Sequence, residues 1–190
     1  MRKTPNFQPE PELPPNQLEQ KGFAEVPAFV ASPFQGTQGD ASLAPSVPTC
    51  VRLDMEELQC FEVVDRQFQE QGVTFSNAIA LIPSNPAFPP RSGMKVLMGA
   101  PKEGWVEATF SNPVKFVGGY VTSSRRTVLA AFDDQDQPVA RTESRGGNLA
   151  GSNSPTPPNV QLCLQGQNIR RVTFHTFDGQ LTLDDFMFAY

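Results

Sequence analysis

"RRVTFHTFDGQLTLDDFMFAY", Arg170 to Tyr190, is the stretch that decides the fold. Two apolar runs flank Asp178-Gly179, a dipeptide that reverses a chain tightly because both residues tolerate positive φ. The stretch therefore reads as an antiparallel hairpin. Its second half holds a puzzle: Asp184 and Asp185 sit side by side in a strand otherwise built from Leu, Phe and Met. Strict alternation puts Asp184 on one face with Phe186 and Phe188, and Asp185 on the other with Leu183 and Met187.

Working back from this hairpin, the pattern repeats. "TVLAAFDDQDQPVAR" is a second hairpin, its turn running from Asp133 to Pro138. "VQLCLQ" and "VKFVGGYV" read as strands, and so does "GVTFSNAIAL". In "GWVEATF", Val106, Ala108 and Phe110 alternate with Trp105, Glu107 and Thr109, the period of a half-buried strand. Eight or so short strands without a helical crossover imply an all-β fold, an antiparallel jelly-roll β-sandwich. The Pro-rich run 83–93 and the Gly/Ser/Pro run 146–159 read as surface loops.

Residues 1–48 are different. Prolines recur from Pro5 to Pro48 and no period is sustained, so an extended, irregular Pro-rich arm is expected ahead of a β-sandwich domain at 49–190. Such a segment cannot repay its ordering entropy alone. Phe7, Phe23, Phe29 and Phe34 are nevertheless spaced along it, and plain linkers are poor in aromatics. A Pro-stiffened peptide with isolated aromatic anchors suits docking along a partner's grooves.

Composition excludes several classes. A formal charge of −5 argues against a nucleic-acid binder, which needs a basic face. Arg125-Arg126 and Arg170-Arg171 read as solvated strand ends. The opening "MRKTPNFQPEPELPP" lacks the apolar run of a secretory signal, and no run is long enough to cross a bilayer, so a cytoplasmic protein is expected. Cys50, Cys60 and Cys163 are odd in number with no C-x-x-C spacing, and His175 is the only histidine. Neither a disulfide framework nor a multi-histidine metal centre is indicated. "DDQDQP" at 133–138 lacks the Gly and the distal Glu of a calcium loop. With no nucleophile elbow, phosphate cradle, H-E-x-x-H or dinucleotide fingerprint, the chain does not read as an enzyme, and no catalytic residue or cofactor is expected.

The order "LDMEEL…QGVTFSNA", "VEATFSNPVKFVGGYV", "VLAAFDDQDQPVAR", "IRRVTFHTF…LTLDDFMF" resembles the bacterial jelly-roll domains of PEP-CTERM-type surface proteins over about residues 51–190. Those domains look like galactose-binding-like carbohydrate-binding modules, although Gly119 stands where they tend to carry a bulky apolar residue. The resemblance implies that a structural Ca²⁺ could be held between the first and last strands, with Glu56 and Asp184 as its carboxylates; a hydrogen-bonded or solvated role for the same residues is the alternative.

Two functions stand at this point. The first is a non-catalytic scaffold or linker-like subunit, its sandwich docked on one protein of a larger assembly and its arm threading along others. The alternative is a carbohydrate-binding module in which an exposed Trp105 and the loops 83–93 and 146–159 bind a glycan. Trp105 serves either as a platform, or as packing beneath a loop or the arm.

Overall fold

The computed structural model describes residues 28–33, 50–99 and 104–190. Among them run eleven strands: β1 (Ala28–Ala31), β2 (Cys50–Leu53), β3 (Val63–Val64), β4 (Val73–Ser76), β5 (Ala78–Leu81), β6 (Val96–Gly99), β7 (Trp105–Ser123), β8 (Thr127–Phe132), β9 (Pro138–Glu143), β10 (Val160–Thr176) and β11 (Leu181–Ala189). A single 3-10 turn, Gln69–Gln71, precedes β4. The architecture is an antiparallel β-sandwich; the one parallel pair is β1 with β2. No helix of the described residues is long and apolar enough to cross a membrane.

Two long strands build both layers. The first half of β7 pairs with β4 and with the second half of β10, which continues to β8 and β9. The second half of β7 pairs with the first half of β10 and with β11, and β11 continues to β6 and β2. Pro113 lies where β7 changes layer and has no N–H to give the ladder. β10 changes layer through two register breaks between Gln165 and Arg171, with Asn168 at φ 59°. What reads in sequence as four strands is therefore two, of 19 and 17 residues. Conversely "GVTFSNAIAL" is not one strand. Asn77, at φ 58°, turns the corner between β4 and β5, and its side-chain amide donates to the Trp105 carbonyl at 2.7 Å. Asn accepts the left-handed conformation that most residues avoid.

The layers meet through phenylalanines. Phe75, Phe110 and Phe174 of the first layer lie 5.2, 6.4 and 6.2 Å from Phe186 of β11, and Phe110 lies 5.3 Å from Phe188. All are buried in one core with Leu129, Ile169 and Leu183. Removing each such side chain from water stabilises the fold by about 1.5–3 kcal/mol, so this contact surface holds the two layers face to face.

Part of the stretch expected to be irregular is ordered. Ala28–Ala31 forms β1, registered against Cys50–Leu53. It is an edge strand, the one place in a sheet that a Pro-bordered segment is tolerated. Phe7, Phe23 and Phe34 lie outside the described residues; only the backbone of Phe29, in β1, is described.

Candidate functional site

On the first layer, side chains that face away from the core form a three-rung ladder. Trp105 pairs with His175 and His175 with Val128; Glu107 with Thr173, then Ala130, then Arg141; Thr109 with Arg171, then Phe132, then Pro138. The alternate residues Val106, Ala108, Phe174, Leu129 and Ala131 are buried. Period-two alternation thus presents a row of outward residues across neighbouring strands. All of the ladder residues but Thr109 and Arg171 line a groove of ≈ 700 Å³, within the range of small-molecule sites. Its apolar surface comes from Trp105, Val128, Ala130, Phe132 and Pro138, and its polar groups from Glu107, Arg141, Thr173 and His175.

The charges of the ladder are paired and fixed. Arg171 reaches Glu107 and Asp136, each at 2.9 Å, and its guanidinium lies 4.2 Å from the Phe132 ring centre. These partners hold the guanidinium in its charged form, outweighing the burial that works against it. Arg141 pairs with Glu143 at 2.9 Å. At the rim, His175 sits edge-on to Phe177, which is 81% exposed. Phe177 went unnoticed in sequence because it looks like one more strand residue; its place beside the Asp178-Gly179 turn is what exposes it.

Asp184 and Asp185 do something else. Leu181 and Leu183 face the core, and so do Phe186 and Phe188. The alternation slips by one residue between Leu183 and Phe186, where β11 and β7 change register. Asp185, at φ 45°, is the inserted residue of a β-bulge. The expected sharing of a face by Asp184 and Phe186 is therefore overturned: the bulge reverses the pleat between them. The carboxylates are buried beneath the loop 82–95. Asp184 accepts the backbone N–H groups of Arg91 (2.6 Å), Ser92 (3.1 Å) and Asp185 (2.6 Å). Asp185 accepts from Arg52 at 2.7 Å and the Ser92 hydroxyl at 2.8 Å. Burial pushes the Asp184 carboxyl above its ordinary value, against the pull of its three N–H donors.

Glu56 works in parallel. Neither it nor Asp54 lies on β2, which ends at Leu53. Glu56 accepts the N–H groups of Met94 and Lys95, each at 2.9 Å, on the same loop. Glu56 and Asp184 line one hollow, and Arg52 and Lys95 line it too. Glu56 and Asp184 there accept backbone N–H groups and Asp185 pairs with Arg52, whereas a divalent ion needs free oxygens. Among the described residues no group of three or more His, Cys, Asp or Glu is placed to hold a metal.

The two loops meet each other rather than Trp105. Asn159 donates to the Pro89 carbonyl at 3.1 Å and Ala150 N–H to the Ala87 carbonyl at 3.0 Å. Asn159 N–H also donates to the Thr122 hydroxyl, and Arg91 lies 4.9 Å from the Tyr120 ring centre. Both loops therefore cover the outer face of the second layer, and none of their residues lines the groove. Buried Asn148 pins the longer one, accepting from Ser123 N–H and donating to the carbonyls of Val121 and Pro157. Nothing in the sequence distinguishes this Asn from its polar neighbours.

No protein-family model and no curated protein matches the chain. Several solved structures share parts of its strand arrangement. A DUF4465-family protein from Bacteroides caccae aligns over 62% of this chain and 72% of its own, at 11% identity and a TM-score of 0.38. A family 61 carbohydrate-binding module, solved with β-1,4-galactotriose, aligns over 64% and 84%, at 14% identity and 0.33. A family 29 module, solved with mannohexaose, aligns over 60% and 77%, at 6% identity and 0.36. At this similarity neither their ligands nor their sites transfer to this chain.

Proposed function

We propose that the protein is a non-catalytic carbohydrate-binding module whose site is the groove on the first layer. The observation that carries this reading is the Trp105 ladder: an indole, an imidazole and a phenyl ring on adjacent strands, interleaved with Glu107, Thr173 and Arg141. A sugar ring has the matching character, an apolar C–H face for an aromatic platform and a rim of hydroxyls for fixed donors and acceptors. Paired strands hold the platform before any ligand arrives, which lowers the entropic cost of binding. The site is Trp105 with its sheet neighbours; the loops 83–93 and 146–159 brace the opposite face.

The reading is non-catalytic because the carboxylate whose titration burial perturbs, Asp184, is sealed under a loop by backbone donors. In the groove, Glu107 is committed to Arg171. The groove supports a glycan ligand; the scaffold reading's anchors Phe7, Phe23, Phe29 and Phe34 lie outside the described side chains. The test is a glycan array with wild-type protein and Trp105→Ala. Selective glycan signals that vanish in the variant are expected. A wild-type protein that binds no glycan on the array sinks the reading.

A further inference from the structure

A second hollow opens on the same face. It is lined by Asp65, Arg66, Gln69, Thr74, Thr109 and Ser111, among others, and measures ≈ 640 Å³. Thr109 belongs to the third rung of the ladder and registers with Thr74 of β4 on its other side. That rung therefore runs from Pro138 through Phe132, Arg171 and Thr109 to Thr74, with a β-bulge at its outer end where β8 and β9 change register. The edge of β4 is closed by the preceding turn, since Phe75 N–H donates to the Asp65 carbonyl at 2.8 Å and Val73 N–H to that of Phe68 at 3.2 Å. Residues 65–69 thus stand where a sixth strand would, with Asp65, Arg66 and Gln69 exposed.

Between the two hollows lie Thr109, small and exposed, and Arg171, held against Phe132 by its ion pairs. The span from β9 to β4 is four strand spacings, about 19 Å, longer than one or two sugar rings.

Resting on the glycan reading above, we infer that the hollow at Asp65, Arg66, Gln69 and Thr74 is a distal subsite on the same face as the Trp105 groove, and that the ligand is an internal stretch of a linear polysaccharide crossing the strands. An extended ligand follows from the span between the two hollows. Trp105 supplies stacking at one end; the turn 65–69 supplies side-chain hydrogen bonds at the other.

The experiment is native electrophoresis in gels containing β-1,4-galactan, galactomannan or hydroxyethylcellulose, followed by calorimetry with the disaccharide and hexasaccharide of whichever polymer retards the protein. Arg66→Ala/Gln69→Ala removes two exposed side chains of the turn and leaves its backbone hydrogen bonds in place. We expect the hexasaccharide to bind at least about tenfold more tightly than the disaccharide. The double variant should lose that advantage while its disaccharide affinity stays the same. Equal affinity for the two lengths, or a hexasaccharide affinity unmoved in the double variant, overturns the distal subsite and leaves the Trp105 site standing. Wild-type and Trp105→Ala proteins that both migrate unretarded in every gel overturn the glycan reading and the subsite together.

Discussion

Asp184 shows how one residue in a strand is read wrongly by pattern and rightly by physics. A lone carboxylate inside an apolar alternation looks like a metal ligand or an acid. Here its oxygens take the N–H groups of Arg91, Ser92 and Asp185, which would otherwise be buried without acceptors beneath the loop. Burial raises its pKa above the ordinary value. The folded protein then holds the Asp184 proton more tightly than the unfolded chain does. This group's contribution to stability is full below the unfolded pKa and is lost as pH rises through the folded one. Carboxyl-carbon NMR titration should find Asp184 titrating above the ordinary aspartate value, whereas a midpoint at or below that value contradicts its burial. Asn148 presents the same logic with a neutral group. Asn148→Ala leaves Ser123 N–H without that acceptor and should cost about 2 kcal/mol, read by urea denaturation, and should open the loop 146–159 to proteolysis.

At the scale of elements, the hairpin at Asp178-Gly179 and the one turning through Asp133–Gln137 are present where the sequence put them, because turn chemistry is local. The layer changes of β7 and β10, and the corner at Asn77, were not legible as such. The bends fall at polar stretches, Ser111–Pro113 in β7 and Gln165–Asn168 in β10, that read in sequence as gaps between strands, and Asn77 reads as one more polar residue within a strand. The bulge in β11 was legible and was misread. "LTLDDFMF" is an alternation with one surplus polar residue, the pattern that a bulge inserted into a half-buried strand produces. Gly119 belongs to the same feature. It lies on β7 across from the bulge, and a Cβ there would fall 2.6 Å from Leu183 Cδ1, so the space that a bulky residue would take is already filled. Gly119→Ala should therefore destabilise by about 1–3 kcal/mol through overpacking, measured as a fall in the denaturation midpoint. A neutral result would mean that Leu183 has room to move aside.

For the whole molecule, the sandwich separates two jobs by face. The second layer carries the buried carboxylates and two braced loops, and the first presents an aromatic ladder to solvent. Trp105 was legible in sequence as an outward residue because "GWVEATF" alternates. Its partners were not: His175, Phe132 and Arg141 come from strands brought alongside by pairing across the layer, and only register shows that. The chain contains one tryptophan, so its emission reports on the groove alone. Titrating the protein with soluble β-1,4-galactan, galactomannan and hydroxyethylcellulose while recording that emission is the most direct test. A saturable change in intensity or wavelength with at least one polymer, paired with loss of binding in Trp105→Ala, is the expected result. Emission that stays constant through all three titrations, with wild type and variant behaving alike on the polymers, would contradict it.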